Sequence, residues 1–325
     1  MRPLSLPLPV GPIASRRGST ADDFDRALRL YRRRSARCRT ENQWNRLHIA
    51  IENYLTPLEV RRFEAAFASE QRDSPGRAWM ARITAMLPRR RVRDVEFERA
   101  GSRREVSMYT AKTSHPARKT LIVAFAGHFN RLMAPMPVLL DCLNPAAYDV
   151  LVLRDFGRRF FATGVVGLGR DLTAAMSSLK TRYDPASYRS AIALGTSSGG
   201  LAALLAAIAL GLERGVSLGA MDVATTGARL RERGLSDAAF ADLLAARPRP
   251  FPDLVLAFGA GFEADAAAAR ALHERLPSRL FAVEGCRIHA LIGWHLARGR
   301  LPSFLAAVLG RDLETGDPIA APATA

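Results

Sequence analysis

The sequence contains little cysteine: Cys38, Cys142 and Cys286 are the only three in 325 residues. Their number is odd, and their spacing matches neither a Cys-x-x-Cys pair nor a set of zinc ligands. A disulfide framework and a zinc site are therefore not indicated, and we expect no metal and no cofactor. Three scattered thiols are typical of a reducing compartment, so we expect a cytoplasmic protein.

Long apolar runs are also missing from the sequence. The longest uncharged one, residues 201–212, is well short of the roughly 20 residues that a membrane-spanning helix needs. Repeated prolines in residues 1–10 would break the apolar helix of a secretory signal. We therefore expect no membrane span.

Lysine is rare, since only Lys112, Lys119 and Lys180 stand among 47 basic residues, and the rest are arginine. Against 31 acidic residues, the formal net charge is +16. Residues 1–118 hold 25 basic and 13 acidic residues, a net of +12, and the remaining 22 and 18 give +4. The excess arginines are spread along the chain, and the sequence shows no motif known to recognise nucleic-acid bases. The positive charge therefore does not indicate nucleic-acid binding.

The most informative stretch is residues 192–205, in which an apolar run, a serine between glycines and a second apolar run follow one another. This pattern predicts a strand, a sharp turn with Ser197 at its tip, and a buried helix. The strand and the helix can approach this turn closely only where the flanking residues lack side chains, and Gly195 and Gly199 meet that requirement. The N–H of Ser198 would then point from a helix N-terminus toward any negative oxygen that forms beside Ser197.

The rest of the chain divides into three parts. Residues 1–18 are rich in proline and arginine and are predicted to be mobile. Residues 19–88 hold four stretches with apolar residues at helical spacing, which predicts a helical N-terminal module. Over residues 89–325, a predicted hairpin and then continuously apolar runs predict an α/β fold, a mostly parallel sheet flanked by helices. The apolar runs lie at 120–127, 150–153, 190–194, 216–221, 254–258 and 280–283.

Three residues that follow strands form a candidate catalytic set. Ser197 comes first along the chain, Asp265 follows the run 254–258, and His289 follows the last run. Serine needs an imidazole to accept its proton, and the imidazole needs a carboxylate to hold its tautomer. The order Ser, Asp, His is that of α/β-hydrolases.

Alternatives to two of these residues remain open. Asp265 also suits a helix cap, and Asp222 and Glu263 are the other candidates for the acid. His295 lies close behind His289, which we favour because it comes first after the last strand. His128 is interpreted equally well as a site residue or as a packed loop histidine.

The loop after the first buried strand is a candidate for the second oxyanion donor. It contains Gly127, His128 and Phe129, and a backbone N–H beside the glycine could join that of Ser198. Arg154 and Asp155 follow the next strand, where they would form the pocket floor, bind substrate or pair with each other.

From about residue 119 to 310, the chain resembles α/β-hydrolase-fold proteins that bacteria encode near glycan-biosynthesis genes. The resemblance implies Ser197 as nucleophile, Asp265 as acid and His289 as base. The chain departs from the family at Phe160 and Phe161, where a Trp-Tyr pair is common, and at Ala290, where a polar residue is common. The matching residues are 152–155, Gly164, 167–169, 194–200, 202–204, Asp265, His289, Gly299 and Leu301.

Together these features predict a serine hydrolase of the esterase type, acting on a small acyl ester or an O-acyl group of a carbohydrate. Acyl transfer by the same residues and a non-catalytic scaffold on a hydrolase fold are the alternatives. The insertion at about 227–250 is predicted to form a helical lid. The oligomeric state is left open.

Overall fold

The computed structural model describes residues 21–71, 73–88, 94–102, 105–111, 115–245 and 250–319. The segment 1–18, which we predict to be mobile, lies outside them. The chain begins with four helices, which confirms the predicted helical N-terminal region. They are α1 (Ala21–Ser35), α2 (Glu41–Glu52), α3 (Pro57–Phe67) and α4 (Pro75–Met86).

Local signals in the sequence account for the starts of these helices. Thr40 caps α2 and Thr56 caps α3, each within a capping box closed by the residue three positions later. Pro57 occupies the first turn of α3, where its missing N–H costs nothing. The helices pack around Phe63 and Trp79, which are at most 1% exposed, so the module has a core of its own.

An eight-stranded sheet follows, in the order β1-β2-β4-β3-β5-β6-β7-β8. The first two strands form a hairpin, β2 pairs antiparallel with β4, and all the other pairs are parallel. The predicted α/β class with a mostly parallel sheet is therefore confirmed. The strands are β1 (Glu98–Ser102), β2 (Val106–Thr110), β3 (Thr120–Phe125), β4 (Tyr148–Leu153), β5 (Ser190–Thr196), β6 (Arg214–Leu218), β7 (Asp253–Gly259) and β8 (Arg279–Val283).

Helices cover both faces of the sheet, which explains why its central strands are apolar throughout. In β3, Ile122 and Ala124 face one core, whereas Leu121 and Val123 face the other. The helices are α5 (Met136–Cys142), α6 (Leu172–Tyr183), α7 (Gly200–Leu210), α8 (Val223–Arg231), α9 (Ala238–Ala245), α10 (Glu263–His273), α11 (Leu291–Leu296) and α12 (Leu301–Leu309).

The strand predicted at 216–221 ends earlier than expected, at Leu218. Gly219 adopts a φ of 62°, a left-handed conformation that turns the chain out of the sheet. This early turn matters for the site described below.

The insertion at 227–250 contains the end of α8 and the whole of α9, and its residues 246–249 lie outside the described part. Helix α9 packs against α6 and α7, and Phe240 at 1% exposure joins their core. This half of the insertion thus belongs to the outer helical layer, and the lid stays a prediction. No helix within the described ranges is long and apolar enough to cross a bilayer.

Candidate active site

The turn at Ser197 has the strained geometry that the sequence predicts. Ser197 has a φ of 51°, a left-handed conformation that is costly for a residue with a side chain. A Cβ on Gly195 would overlap the carbonyl oxygen of Gly199, and one on Gly199 would overlap the carbonyl oxygen of Phe125. Both glycines are therefore required by close backbone approach, and the serine is presented at the carboxyl end of β5.

The sheet order and this turn together decide the architecture. A strained serine between a central parallel strand and a buried helix, followed along the chain by candidate acid and base at later strand ends, is the arrangement of one superfold. The chain has the α/β-hydrolase fold. As an α/β-hydrolase fold, it places the loops after β3, β4, β5, β6, β7 and β8 at one edge of the sheet.

Asp265 and His289 form a direct contact at this edge. Nδ1 of His289 lies 2.8 Å from Oδ2 and 3.0 Å from Oδ1 of Asp265. The Asp265 side chain is 9% exposed, whereas that of His289 is 40% exposed. A ring with Nδ1 bonded to a carboxylate carries its proton there and keeps Nε2 as the basic nitrogen.

Backbone contacts place this pair beside the serine turn. A Cβ on Gly219, at the end of β6, would lie 2.7 Å from Oδ2 of Asp265 and 3.0 Å from Cε1 of His289. The next residue, Ala220, approaches Gly200 at the start of α7 so closely that a Cβ there would lie 2.6 Å from that of Ala220. The pair thus occupies the end of the strand adjoining β5. Within the described residues, no hydrogen bond joins the Ser197 hydroxyl to His289.

Sequence reasoning missed Gly219. It could have been found, because a glycine directly after an apolar strand indicates a close approach or a turn.

The other candidates for acid and base have different partners. Asp222 caps α8 through Thr225, whose N–H and hydroxyl lie at 2.9 and 2.6 Å. Partial burial would raise the pKa of Asp222, but these hydrogen bonds outweigh it and lower the pKa. Glu263 pairs with Arg270 on the outer face of α10.

His295 is buried at 8% exposure and stacks on Phe304 with ring centroids 4.0 Å apart. Neither of its ring nitrogens has a partner among the described residues. Burial, aided by the charges of Arg300 and Arg298, lowers the pKa of His295 to about 4. His295 is thus a core residue of the α11–α12 region.

The loop 127–131 lies directly against the serine turn. A Cβ on Gly127 would be 3.3 Å from Cβ of Ser197. The N–H of Gly127 donates to the carbonyl oxygen of Arg131 at 3.0 Å, so it is already used within the loop. The N–H groups of His128 and Ser198 have no acceptor in the described part of the chain. These two donors flank the serine, and Phe129 projects into solvent at 67% exposure.

Arg154 and Asp155 do not pair with each other, which was one of the alternatives left open for them. Arg154 is 1% exposed and donates to Oγ of Ser107 at 2.9 Å and to the carbonyl oxygen of Asn53 at 2.6 Å. Its guanidinium carbon lies 4.2 Å from the ring centroid of Tyr54. Substrate cannot reach so buried a group, and Arg154 instead joins the sheet to the helical module. This corrects the interpretation of Arg154 as part of the pocket floor.

Asp155 has a separate role in the loop that follows β4. Its Oδ2 accepts hydrogen bonds from the backbone N–H groups of Arg159 and, at 3.1 Å, Phe161. Phe160 and Phe161, which follow the bend held by Asp155, both have positive φ, 57° and 64°. Asp155 therefore fixes the shape of this loop.

Three arginines, Arg158, Arg229 and Arg233, lie near His128 at one edge of the site. Burial, and then the charges of Arg158, Arg233 and Arg229, lower the pKa of His128, although Asp155 opposes them. Arg233 also donates to the carbonyl oxygen of Arg158. That contact joins the loop after β4 to the segment after α8. The edge of the site near His128 is therefore positively charged.

Comparison with known proteins gives likeness of fold only. No family model matches the chain. No curated protein matches it. Similar solved structures include enterobactin esterase from Shigella flexneri (18% identity, TM-score 0.40, 65% of this chain and 54% of that one). Dienelactone hydrolase from Anabaena variabilis is also similar (18%, 0.41, 66% and 93%), as is acylaminoacyl peptidase from Pyrococcus horikoshii (12%, 0.43, 70% and 41%).

The chain spans about half the length of the enterobactin esterase. At this level of likeness, none of these proteins carries an argument about activity, and the glycan-biosynthesis context of the resemblance stays a prediction. Within the described residues, no cluster of three or more His, Cys, Asp or Glu side chains could hold a metal ion.

Proposed function

We propose that this chain is a serine hydrolase that cleaves acyl esters, with Ser197 as nucleophile, His289 as base and Asp265 as the acid that orients it. The observation that carries the proposal is the hydrogen-bonded pair of Asp265 and His289 at the strand end next to a strained serine turn. Strained backbone conformations cluster at active sites, where the surrounding structure holds a residue in the position that the reaction needs.

The reaction would begin when the Ser197 oxygen attacks the ester carbonyl carbon while Nε2 of His289 accepts the hydroxyl proton. The imidazolium then gives this proton to the departing alcohol oxygen as the C–O bond breaks, which leaves an acyl-enzyme. Water attacks the acyl carbon, Nε2 takes a proton from it, and the proton returns to Ser197 as the carboxylic acid leaves. Asp265 stabilises the charged imidazolium throughout.

The negative oxygen of each tetrahedral intermediate would accept hydrogen bonds from the N–H groups of Ser198 and His128. Such a donor typically contributes about 3 kcal/mol to the stability of the transition state. The reaction requires a hydrogen bond from the Ser197 hydroxyl to Nε2 of His289. Catalytic hydrogen bonds of this kind often shorten only when substrate binds.

We propose two substrate classes, namely small acyl esters and O-acyl groups on carbohydrates. Among the described residues Cys38, Cys142 and Cys286 form no disulfide, which supports a reducing, cytoplasmic location as a further part of the proposal.

Labelling with a fluorophosphonate probe tests the proposal. We expect the wild type to be labelled, and Ser197→Ala and His289→Ala to lose labelling while their circular dichroism is unchanged. Ser177→Ala, an exposed position on α6, is the matched control and should be labelled like the wild type. A folded wild type that reacts neither with the probe nor with p-nitrophenyl acetate would favour the scaffold alternative.

Hydrolysis and acyl transfer are separated by their products. With p-nitrophenyl acetate alone, a hydrolase releases acetate at the rate of nitrophenol. If adding a sugar acceptor diverts the acetyl group quantitatively to its hydroxyl, the chain is an acyltransferase.

A further inference from the structure

Two contacts tie the loop beside Ser197 to the helical module. Glu52, the last residue of α2, lies 3.2 Å from the Arg131 guanidinium, measured from Oε1 to Nη2. The neighbouring Asn53 donates from Nδ2 to the carbonyl oxygen of Phe129 at 3.5 Å. The end of α2 therefore contacts both Phe129 and Arg131 of the loop 127–131.

Glu52 is itself held firmly within the module. It is 3% exposed, and its second oxygen accepts a hydrogen bond from Nε1 of Trp79 at 3.2 Å. Burial raises the pKa of Glu52, and this effect outweighs the charge of Arg131 and the hydrogen bond from Trp79, which both lower the pKa. A buried carboxylate of this kind is stabilised by its cationic partner, so the pair of Glu52 and Arg131 resists separation.

Arg131 passes this constraint on to the serine turn. Its carbonyl oxygen accepts hydrogen bonds from the N–H of Gly127 at 3.0 Å and from Oγ1 of Thr196 at 3.4 Å. Thr196 directly precedes Ser197, and Gly127 directly precedes His128. One residue therefore connects the module to both sides of the proposed oxyanion site.

One end of the loop borders a cavity. A cavity of about 710 Å³ is lined by Arg131 and Met133, by the end of α4, and by the region of α11 and α12. A loop that borders open space on one side depends on the contacts it makes on the other.

We infer that the helical module sets the catalytic rate by fixing the loop 127–131, with Glu52 and Arg131 as positioning residues for the N–H of His128. The inference rests on the proposed function, because it assigns the module a role in stabilising the same transition state. A misplacement of about 1 Å at a catalytic group can lower the rate about 100-fold, so the position of this donor matters.

Glu59 provides a matched control for Glu52. Both glutamates are 3% exposed, both belong to the module, and each pairs with an arginine beyond it. Glu59 pairs with Arg99 on β1 at 2.8 Å and accepts a hydrogen bond from the N–H of Thr56 at 2.9 Å, and among the described residues Glu59 makes no hydrogen bond or ion pair to the loop. Glu52→Gln keeps an acceptor for Trp79, and Glu59→Gln keeps a residue suited to the capping box.

The experiment compares these two variants in kcat, KM and amide hydrogen exchange of residues 127–131. We expect Glu52→Gln to lower kcat about tenfold with KM changed less than twofold, and to raise exchange in the loop. Glu59→Gln should leave kcat and loop exchange at wild-type values, well below its unfolding temperature. Arg131→Lys, which keeps the ion pair, should recover most of the rate that Arg131→Met loses.

Equal loss of kcat in both glutamate variants, or unchanged loop exchange in Glu52→Gln, would overturn the inference. A wild type without any esterase activity or labelling would refute the proposed function and the catalytic part of the inference. Even then, loop exchange would decide separately whether the module fixes the loop.

Discussion

The two halves of the candidate site are held together by different means. On the acid side, Asp265 and His289 touch each other directly, and Gly219 lets them lie against the end of β6. On the oxyanion side, the loop 127–131 is fixed by Glu52 and Asn53, more than 70 residues earlier in the chain. The contacts of the first half thus come from residues 219–289, whereas the second half also depends on residues at the end of α2.

The strongest way to break the acid side is Asp265→Asn. The amide would favour the wrong imidazole tautomer, so we expect kcat/KM for p-nitrophenyl acetate to fall about 10⁴-fold with folding intact. Glu263→Gln, two residues earlier on the exposed face of α10, is the control and should change the rate less than twofold. A loss of less than tenfold in Asp265→Asn would assign the acid elsewhere.

The serine turn joins the two halves, and Gly199→Ala should disrupt it. The added methyl group would overlap the carbonyl oxygen of Phe125 and lie 2.7 Å from that of Ala126. Overpacking against backbone costs about 3 kcal/mol, so thermal melting should shift down by several degrees and labelling should be lost. In Gly293→Ala the new methyl has its nearest neighbour at 3.9 Å, and this variant should melt like the wild type or slightly above it.

His295→Phe sharpens the distinction between His289, which contacts Asp265, and His295, which lies in the core of the α11–α12 region. Because the folded-state pKa of His295 is about 4, the unfolded chain takes up its proton first, at about pH 6.5. Stability is therefore lost as the pH falls from about 6.5 toward 4. Between pH 7 and pH 5, the free energy of unfolding measured in urea should fall by about 2 kcal/mol less in the variant than in the wild type. Identical losses would contradict the burial of a neutral imidazole.

Arg229→Gln tests the positive edge of the oxyanion side and should have the smallest effect. We compare kcat/KM for mono-p-nitrophenyl succinate, which carries a carboxylate, with that for neutral p-nitrophenyl butyrate. The ratio should fall up to about fivefold at low salt, as for one exposed charge pair. Arg231→Gln is the control, because Arg231 is already paired with Asp237 at 2.8 Å. Equal effects of both variants would mean that the edge has no local preference for anions.

The contact between Asp265 and His289 is easier to expect from the sequence than the contact between Glu52 and Arg131, for a physical reason. The parallel sheet brings strand ends to one edge, so Asp265 and His289 could be expected to meet from strand order alone. Glu52 and Arg131 come from distant parts of the chain and meet only through tertiary packing, which no local sequence periodicity records. Arg154 was misplaced for the same reason, since its partner Asn53 lies in the module.

The left-handed backbone at Ser197 lowers the stability of the fold at the residue that we propose as the nucleophile. Holding a side-chain-bearing residue in that conformation costs on the order of 1–3 kcal/mol, a cost that glycine would largely avoid. Ser197→Gly should therefore yield a sturdier but inert protein. The residue that the proposed reaction needs is thus one whose replacement by glycine would stabilise the fold.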